Sequence, residues 1–328
     1  MKIYPKGNGT GVTEFIIIGF PSLPEMQIFL FVIFLSVYIL TIVSNTMLII
    51  LVKLNHHLQT PMYFFLSNYS FLEMGYVSTS LPKLLENFLT GNNKISFSAC
   101  IVQLYLFSTF GVTDTFFLVV MAYDRFLAIC KPLHYVTIMN PKTCVLLAAA
   151  SWVLGCLVAS LPIVLISRLT FCGPNVIDHI VCESTPVMKL SCSDISSVEI
   201  VLSVLGPMSS LGTLLLIVVS YVLIISTILK IPSAVGRKKA FSTCASHIMV
   251  VIIFYTTLCV MYVRPPGTES SPHQDKLVSL MYGIIIPFLN PFIYSLRNKD
   301  VRQAVKKILK RNNTLPMRLN KLHVISSY

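Results

Sequence analysis

The sequence predicts an all-α membrane protein, a bundle of seven transmembrane helices followed by a short amphipathic helix. Of its 328 residues, 55% are apolar and 12% are charged, about half the charged share of a soluble domain, and the mean hydropathy is +0.77. Apolar runs of about 20 residues, the length that crosses a bilayer, recur seven times. A soluble enzyme is therefore disfavoured. The net charge of +12 does not indicate a nucleic-acid binder, because such a protein needs a polar, water-exposed basic face.

The seven apolar runs define the predicted spans. They cover residues 27–52, 61–83, 98–130, 143–166, 199–229, 239–263 and 276–296. Span two begins at Thr60-Pro61, where proline takes the first helical position. Prolines inside apolar stretches predict kinks, and they are Pro162, Pro207, Pro287 and Pro291.

Basic residues set the predicted orientation. Seven spans place the termini on opposite sides, and with the N-terminus outside, the inner segments hold seventeen basic and two acidic residues, against eight and nine outside. Short cytoplasmic loops carry an excess of Lys and Arg. We therefore expect an extracellular tail over 1–26, one membrane domain over 27–296, and a cytoplasmic helix and tail over 297–328. Residues 1–26 lack the pattern of a cleavable signal peptide, so span one is expected to direct insertion.

The outer segments contain candidate sites for covalent modification. Four of the nine cysteines lie there, where oxidation is permitted, and they are Cys100, Cys172, Cys182 and Cys192. They allow three pairings, and the residues alone do not choose among them. A zinc site that includes His179 is disfavoured, because the spacings match no common zinc motif. Asn8 begins an Asn-Gly-Thr glycosylation acceptor in the outer tail.

Four motifs occur in order along the chain. They read PMYFFL from Pro61, MAYDRFLAIC from Met121, KAFSTCASH from Lys239 and PFLNPFIYSLRN from Pro287. With Ser220-Tyr221 and the outer cysteines, the chain from about residue 20 to residue 311 resembles the odorant receptor family of rhodopsin-like G protein-coupled receptors. The resemblance implies a plasma-membrane protein, disulfides Cys100–Cys182 and Cys172–Cys192, a small odorant as ligand, and a stimulatory heterotrimeric G protein that raises cyclic AMP.

Two acids are predicted to lie at one depth inside the membrane. Glu73 is twelve residues from Pro61 and Asp114 is eleven from Arg125, or about 18 and 16 Å at about 1.5 Å per residue. Intramembrane carboxyls are usually paired, protonated or bound to a cation. The family typically has these two acids exchanged. We expect them, with Asn290, to form a sodium or shared-proton site. The alternative is two protonated carboxyls in hydrogen bonds between helices. No other cofactor is implied.

The resemblance assigns G protein coupling to the inner end. It implies that Arg125 is exposed to the G protein when span six swings outward, and that Asp124 holds it at rest. The alternative is an arginine that reaches the lipid interface. The other residues with an implied role in activation are Tyr221, His247, Tyr255, Asn290, Pro291 and Tyr294.

The ligand cavity is predicted in the outer half, between spans three, five, six and seven. Helical spacing selects Leu104, Phe107, Ser108, Gly111, Val112, Leu202, Leu205, Gly206, Ser209, Tyr255, Leu258, Cys259, Tyr262, Ser279, Leu280 and Gly283. The alternative for each is ordinary packing, because an apolar stripe is more often core. Phe107 takes the place where amine receptors carry Asp. With few hydroxyls and no acid facing the cavity, we expect a small, neutral or weakly polar volatile ligand rather than a charged amine.

Beyond span seven, Val301, Val305, Ile308 and Leu309 recur at helical spacing among basic residues. This pattern predicts an amphipathic helix on the anionic inner leaflet, and the alternative is a solvated charged tail.

An enzyme is disfavoured by the lack of a Walker loop, His-Glu-x-x-His or Gly-x-Ser-x-Gly. A transporter or channel would need internal repeats or several polar groups along its spans. The four motifs and Phe107 disfavour a receptor for peptides or amines.

Overall fold

The computed structural model describes residues 12–20, 24–172, 174–262, 272–297 and 301–304. Within them, seven long helical segments correspond in order to the seven predicted spans. They are α1 (Pro24–Leu54), α2 (Pro61–Thr90), α3 (Phe97–Cys130), α5 (Pro141–Ser167), α7 (Ser196–Leu229), α8 (Ala234–Tyr262) and a composite of α9 (Pro272–Leu280), a π-helical turn (Met281–Ile285) and α10 (Ile286–Arg297). Short helices α4 (Pro132–Ile138) and α6 (Ser184–Met188) lie in the connections. The predicted seven-helix bundle is confirmed.

Six of these helical segments are long and apolar enough to cross a membrane. Among the described residues, α2 is the long helix that falls short by composition. Its polar residues Ser70, Glu73, Ser80 and Asn87 are buried, and the helix packs between α1 and α3. A helix whose polar side chains face other helices needs less apolar character, because the bundle rather than lipid surrounds it.

Local chemistry explains several helix ends. The Ser96 hydroxyl accepts a hydrogen bond from the Ala99 N–H at 3.2 Å and caps α3, and Asn140 Oδ1 accepts one from Thr143 at 3.0 Å and caps α5. Helix α2 ends at Gly91, which has a φ of 66°, a conformation that favours glycine.

The four prolines predicted to kink helices lie within helical segments. Pro162, Pro207 and Pro291 are inside α5, α7 and α10. Pro287 has no backbone N–H, so it cannot donate the regular helical hydrogen bond to the carbonyl of Gly283, four residues earlier. The π-helical turn spans that carbonyl, so the segment widens where the regular hydrogen bond is missing.

A small sheet covers one end of the bundle, and the sequence did not predict it. Its strands are β1 (Glu14–Ile17), β2 (Lys94–Ser96) and β3 (Val176–Ile177), in the order β2-β1-β3. β1 is antiparallel to β2 and parallel to β3. Phe15 and Ile17 point inward and are fully buried, as the two-residue period of a strand allows. Residues 12–20 of the predicted tail are therefore part of a folded cap.

The cap lies at the end of the bundle that contains both disulfides, Cys100–Cys182 and Cys172–Cys192. This pairing is the one that the family resemblance implies. We call this the disulfide end. Helix α3 runs from Cys100 there to Arg125 near its other end, which we call the Arg125 end.

Beyond α10, residues 301–304 are helical, with Val301 and Ala304 buried. The remaining predicted positions of the amphipathic helix, and Asn8, lie outside the described residues.

Candidate functional site

Aromatic side chains pack together beneath the cap, where α3 meets the π-helical turn, and we call this group the aromatic recess. The phenyl ring of Phe107 packs directly on Gly283, because a Cβ built at Gly283 would lie 2.9 Å from the ring. The ring centroid of Phe107 is 5.6 Å from that of Tyr282 and 4.9 Å from that of Tyr76. The structure therefore brings the predicted residues Phe107 and Gly283 together, and it adds two tyrosines that the sequence did not single out.

A polar cluster adjoins this recess, and its acid was missed from the sequence. The Glu183 carboxylate accepts hydrogen bonds from the hydroxyls of Tyr282 and Ser279, the latter at 2.8 Å. His179 Nε2 lies 3.3 Å from the same carboxylate. His179 Nδ1 accepts the Val181 N–H at 3.4 Å, which places the proton of the neutral ring on Nε2. Glu183, His179, Ser279 and Tyr282 form what we call the Glu183 cluster.

Two further contacts hold the loop that carries Glu183. Lys276 is buried, and its ammonium donates to the Gly19 carbonyl at 2.7 Å and to Asp178 at 2.5 Å. Gln103 Oε1 accepts the Cys182 N–H at 2.9 Å. The cap, the loop and α9 are thus fixed to one another. The signal available in the sequence was a lysine at the start of span seven and acids on either side of Cys182.

The other predicted ligand-binding residues have varied surroundings. Leu104 and Leu202 pack in the cap core, and Leu258 and Leu280 pack against the main core. Gly111 faces the Tyr76 hydroxyl, 3.1 Å from an added Cβ. Ser108, Val112, Leu205, Gly206 and Ser209 are partly buried, and Cys259 is exposed. The side chain of Tyr262 is not among those described.

The two predicted acids lie together in the middle of the bundle. Glu73 and Asp114 are both buried and close enough to interact electrostatically. Asn290 donates one hydrogen bond to Glu73 and another, at 3.3 Å, to the Tyr69 hydroxyl. Asn290 therefore joins α10 to α2, and Asp114 on α3 interacts with Glu73 and Tyr69 in the same polar cluster.

This middle cluster contains oxygens suited to a cation. Asp114 Oδ1 and Asn45 Oδ1 are buried, and neither has a hydrogen-bond partner among the residues that the structure describes. Asn45 lies beside Glu73. A buried oxygen without a partner is costly, and carboxylate and amide oxygens are the ligands that hard cations prefer. The residues present therefore fit a sodium ion.

Buried hydrogen bonds connect α8 to its neighbours. The Tyr255 hydroxyl is 2.8 Å from that of Thr213 on α7. Nearer the Arg125 end, His247 bonds Tyr221 on α7 at 2.8 Å and the Leu118 carbonyl on α3 at 3.1 Å. Any movement of α8 away from the bundle must break or exchange these bonds.

A cavity of about 820 Å³ opens at the Arg125 end. It is lined by His57, Thr60, Met62, Tyr63, Leu66, Met121, Asp124, Arg125, Ala128, Tyr135, Val235, Lys238, Lys239, Ser242, Thr243, Ser246, His247 and Tyr294. Four of the predicted activation residues, Asp124, Arg125, His247 and Tyr294, therefore share one opening. Tyr294 also packs edge-on against Tyr69, with ring centroids 6.3 Å apart, so this opening adjoins the middle cluster.

Asp124 has a different partner from the expected one. Its carboxylate accepts a hydrogen bond from Tyr135 at 2.7 Å, and the described residues include no ion pair between Asp124 and Arg125, which interact only at longer range. Burial and the Asp124 charge raise the pKa of Tyr135, so this hydroxyl stays protonated and continues to donate. Helix α4 is thereby attached to α3 beside Arg125.

Comparison with known proteins identifies the family. The model of the olfactory receptor family matches residues 34–312. The chain belongs to the olfactory receptor family. This olfactory receptor is 48% identical to human olfactory receptor 6N1 over 93% of its own length and 97% of that protein. It is 49% identical to human olfactory receptor 11H6, over 91% and 90% of the two chains.

The fold agrees with that assignment. The crystal structure of squid rhodopsin superimposes with a TM-score of 0.71 at 17% identity, over 88% of this chain and 82% of that one. This likeness shows the seven-helix fold alone. The predictions of a rhodopsin-like, odorant-sensing G protein-coupled receptor, and of a signalling receptor rather than an enzyme, are confirmed. The receptor is a multi-pass membrane protein.

Proposed function

We propose that this olfactory receptor binds a small, mostly neutral volatile ligand in the outer half of its bundle and activates a stimulatory G protein at the Arg125 end. The observation that carries the proposal is the aromatic recess of Phe107, Tyr282 and Gly283 beneath a disulfide-linked cap. A ligand of this size needs an apolar wall with few polar groups.

Charge and cysteine chemistry support an orientation with the disulfide end outside. Lys53, Lys131, Lys142 and Lys230 lie near the Arg125 ends of their helices, where the positive-inside rule places basic residues in the cytoplasm. Disulfides form in oxidising compartments, which suits an extracellular position for the opposite end. The N-terminus is thus extracellular, the C-terminus is cytoplasmic, and the membrane is the plasma membrane.

Signal transmission follows from the contacts of α8. A ligand that shifts Tyr255 alters its bond to Thr213, and a rotation of α8 then changes the bonds of His247 to Tyr221 and Leu118. The Arg125 cavity widens as α8 moves. Arg125, Lys238 and Lys239 line that cavity and attract acidic groups of a G protein. Asn290 and Pro291 link the same motion to the middle cluster.

The test is a screen of the intact receptor, expressed with the olfactory stimulatory G protein, against a chemically diverse panel of volatiles with cyclic AMP as the readout. We expect at least one neutral volatile to raise cyclic AMP. Arg125→Ala is expected to reach the surface and lose the response, because its positive charge is the contact for the G protein. A receptor that is present at the surface and silent to the whole panel would contradict the proposal, as would a response carried by an inhibitory G protein alone.

The middle cluster supports a second proposal, that Glu73, Asp114, Asn45 and Asn290 hold a sodium ion in the resting receptor. A bound cation would supply positive charge between the two carboxylates. The bond of Asn290 to Glu73 joins α10 to α2, and the buried oxygens of Asn45 on α1 and Asp114 on α3 are left to bind the ion. A proton shared between the carboxyls is the alternative occupant.

The variant Glu73→Gln distinguishes a bound sodium ion from a proton shared between the carboxyls. Glutamine still accepts the Asn290 hydrogen bond but removes one negative charge, so we expect basal cyclic AMP to rise and its dependence on sodium to disappear. Basal signalling is measured with extracellular sodium and with choline in its place. Ser80→Ala, another buried polar site on α2, is the matched control and is expected to keep the sodium dependence. An unchanged sodium response in Glu73→Gln would rule out the ion site.

A further inference from the structure

We propose that the Glu183 carboxylate is the polar anchor of the odorant site and selects ligands that carry a hydrogen-bond donor, a hydroxyl or an ammonium group, over ligands that can only accept. This inference rests on the proposed function and assigns its ligand class. The sequence indicated a cavity without an acid. The structure places Glu183 beside the recess through Tyr282, whose hydroxyl bonds the carboxylate and whose ring packs on Phe107.

Glu183 has the most accessible side chain of the Glu183 cluster. The side chain of Glu183 is 22% exposed, whereas that of His179 is 1% exposed, and Ser279 and Tyr282 are buried. A small molecule that approaches the cluster therefore meets the Glu183 side chain before the buried donor groups.

The direction of the hydrogen bonds sets the preference. Tyr282 and Ser279 donate hydrogen bonds to Glu183, and His179 Nε2 bonds the Ser279 hydroxyl. A ligand that only accepts must draw one of these donors away from a charged acceptor, where hydrogen bonds are about twice as strong as neutral ones. A ligand hydroxyl or ammonium instead donates to a free lone pair, since a carboxylate offers about four acceptor positions. Donor ligands are therefore favoured.

The charge balance around Glu183 supports the same class. Lys276 lies three residues before Ser279 on α9, but its ammonium is bound by Asp178 and the Gly19 carbonyl. His179 Nδ1 is occupied by the Val181 N–H. Within the part of the chain that the structure describes, no lysine or arginine forms an ion pair with Glu183. A ligand ammonium would therefore compensate the charge, so protonated amines belong to the favoured class.

The recess supplies the apolar half of the recognition. Tyr76 and Tyr282 both pack against Phe107, and the Phe107 ring lies directly on Gly283, which has no side chain to separate them. A ligand with a donor at one end and a compact hydrocarbon at the other matches this arrangement. The geometry thus points to a small amphipathic alcohol, phenol or amine.

The experiment uses matched probes that share a carbon skeleton. The set is 1-octanol, octylamine and 2-octanone, with cyclohexanol, cyclohexylamine and cyclohexanone as a second skeleton, tested by cyclic AMP in the full-length receptor. We expect the donor probes to act at about tenfold lower concentration than the ketones, the effect of one hydrogen bond to a charged group. Glu183→Gln is expected to remove this difference by weakening the donor probes alone. Asp194→Asn, at an exposed acid that bonds Ser196, is the matched control and is expected to keep the difference.

A second variant gives the opposite shift. Tyr282→Phe removes one donor from the carboxylate, keeps the ring on Phe107, and is expected to increase the sensitivity to donor probes. If Glu183→Gln does not reach the cell surface, Tyr282→Phe is the variant that tests the role of Glu183. Equal sensitivity to alcohols and ketones in the wild-type receptor, or a donor preference that survives Glu183→Gln, overturns the inference and leaves the proposed function standing. A wild-type receptor that answers other volatiles but none of the donor probes also overturns it, whereas silence to the entire panel overturns the proposed function.

Discussion

Replacing Gly155 by leucine is expected to abolish delivery of the receptor to the cell surface. Gly155 lies where α5 crosses α3, and a Cβ built there would meet the Thr113 hydroxyl at 1.9 Å and the Thr109 carbonyl at 3.2 Å. The carbonyl belongs to the helix backbone and has no rotamer to change. Overpacking of this kind costs about 1–3 kcal/mol for small insertions, and leucine adds three more carbons. Surface labelling of an N-terminally tagged receptor measures the loss.

Gly212 is the matched control for this change. It lies on α7, and a Cβ there would meet nothing within 4 Å, so Gly212→Leu is expected to leave surface delivery near normal. Gly155→Ala should give an intermediate loss, and Thr113→Ala in the same chain should restore part of it because the clashing hydroxyl is gone. Normal delivery of Gly155→Leu would mean that α3 and α5 do not pack as closely as the structure shows.

The helical part of the fold was predictable because its signals are local. Runs of about 20 apolar residues mark spans one to seven, and Thr60-Pro61 and the capping residue Ser96 fix where α2 and α3 begin. Helix α2 shows the limit of hydropathy: its polar residues, Glu73 among them, lower its apolar character although they face the interior. The depth of Glu73 and Asp114 followed from the helical rise alone.

The cap was not predictable from local pattern. Strand β1 is four residues long, and its partners β2 and β3 lie about 80 and 160 residues further along the chain, so nothing in its own sequence identifies them. For the same reason the sequence did not reveal the Glu183 cluster. In it Glu183, a loop residue, bonds Ser279 and Tyr282, which lie nearly 100 residues later in the chain. Ser279 and Gly283 were found because helical spacing selects one face of span seven, whereas a loop has no period to read.

The cap changes the chemistry expected of the ligand. Phe107 at the amine-receptor position indicated a neutral ligand, and that inference considered the helices alone. Glu183 lies beside the recess and belongs to a loop. The acid is therefore supplied by a loop rather than by the span-three position, Phe107 here, at which amine receptors carry Asp. The neutral, weakly polar class and the donor class overlap in small alcohols and phenols, which are the ligands that both considerations favour.

Breaking the Cys100–Cys182 disulfide is expected to abolish the odorant response, whereas breaking Cys172–Cys192 is expected to leave a weakened one. The first bond closes a sequence separation of 82 residues and the second one of 20. On the chain-entropy model these loops correspond to about 4.5 and about 3.3 kcal/mol of stabilisation. The loops differ in more than length, because both sulfurs of the first bond are in the buried cap core and both residues of the second are exposed.

The position of the first disulfide makes its loss functional as well as structural. Cys182 precedes Glu183 directly, and its N–H is held by Gln103 on α3, so the bond to Cys100 sets the distance of the carboxylate from Phe107. The double variants Cys100→Ala with Cys182→Ala, and Cys172→Ala with Cys192→Ala, are compared for surface level, heat stability in detergent and response to 1-octanol. The first pair is expected to lose the response at a matched surface level. Equal losses in both pairs would show that the cap, and not the placement of Glu183, is what the disulfides preserve.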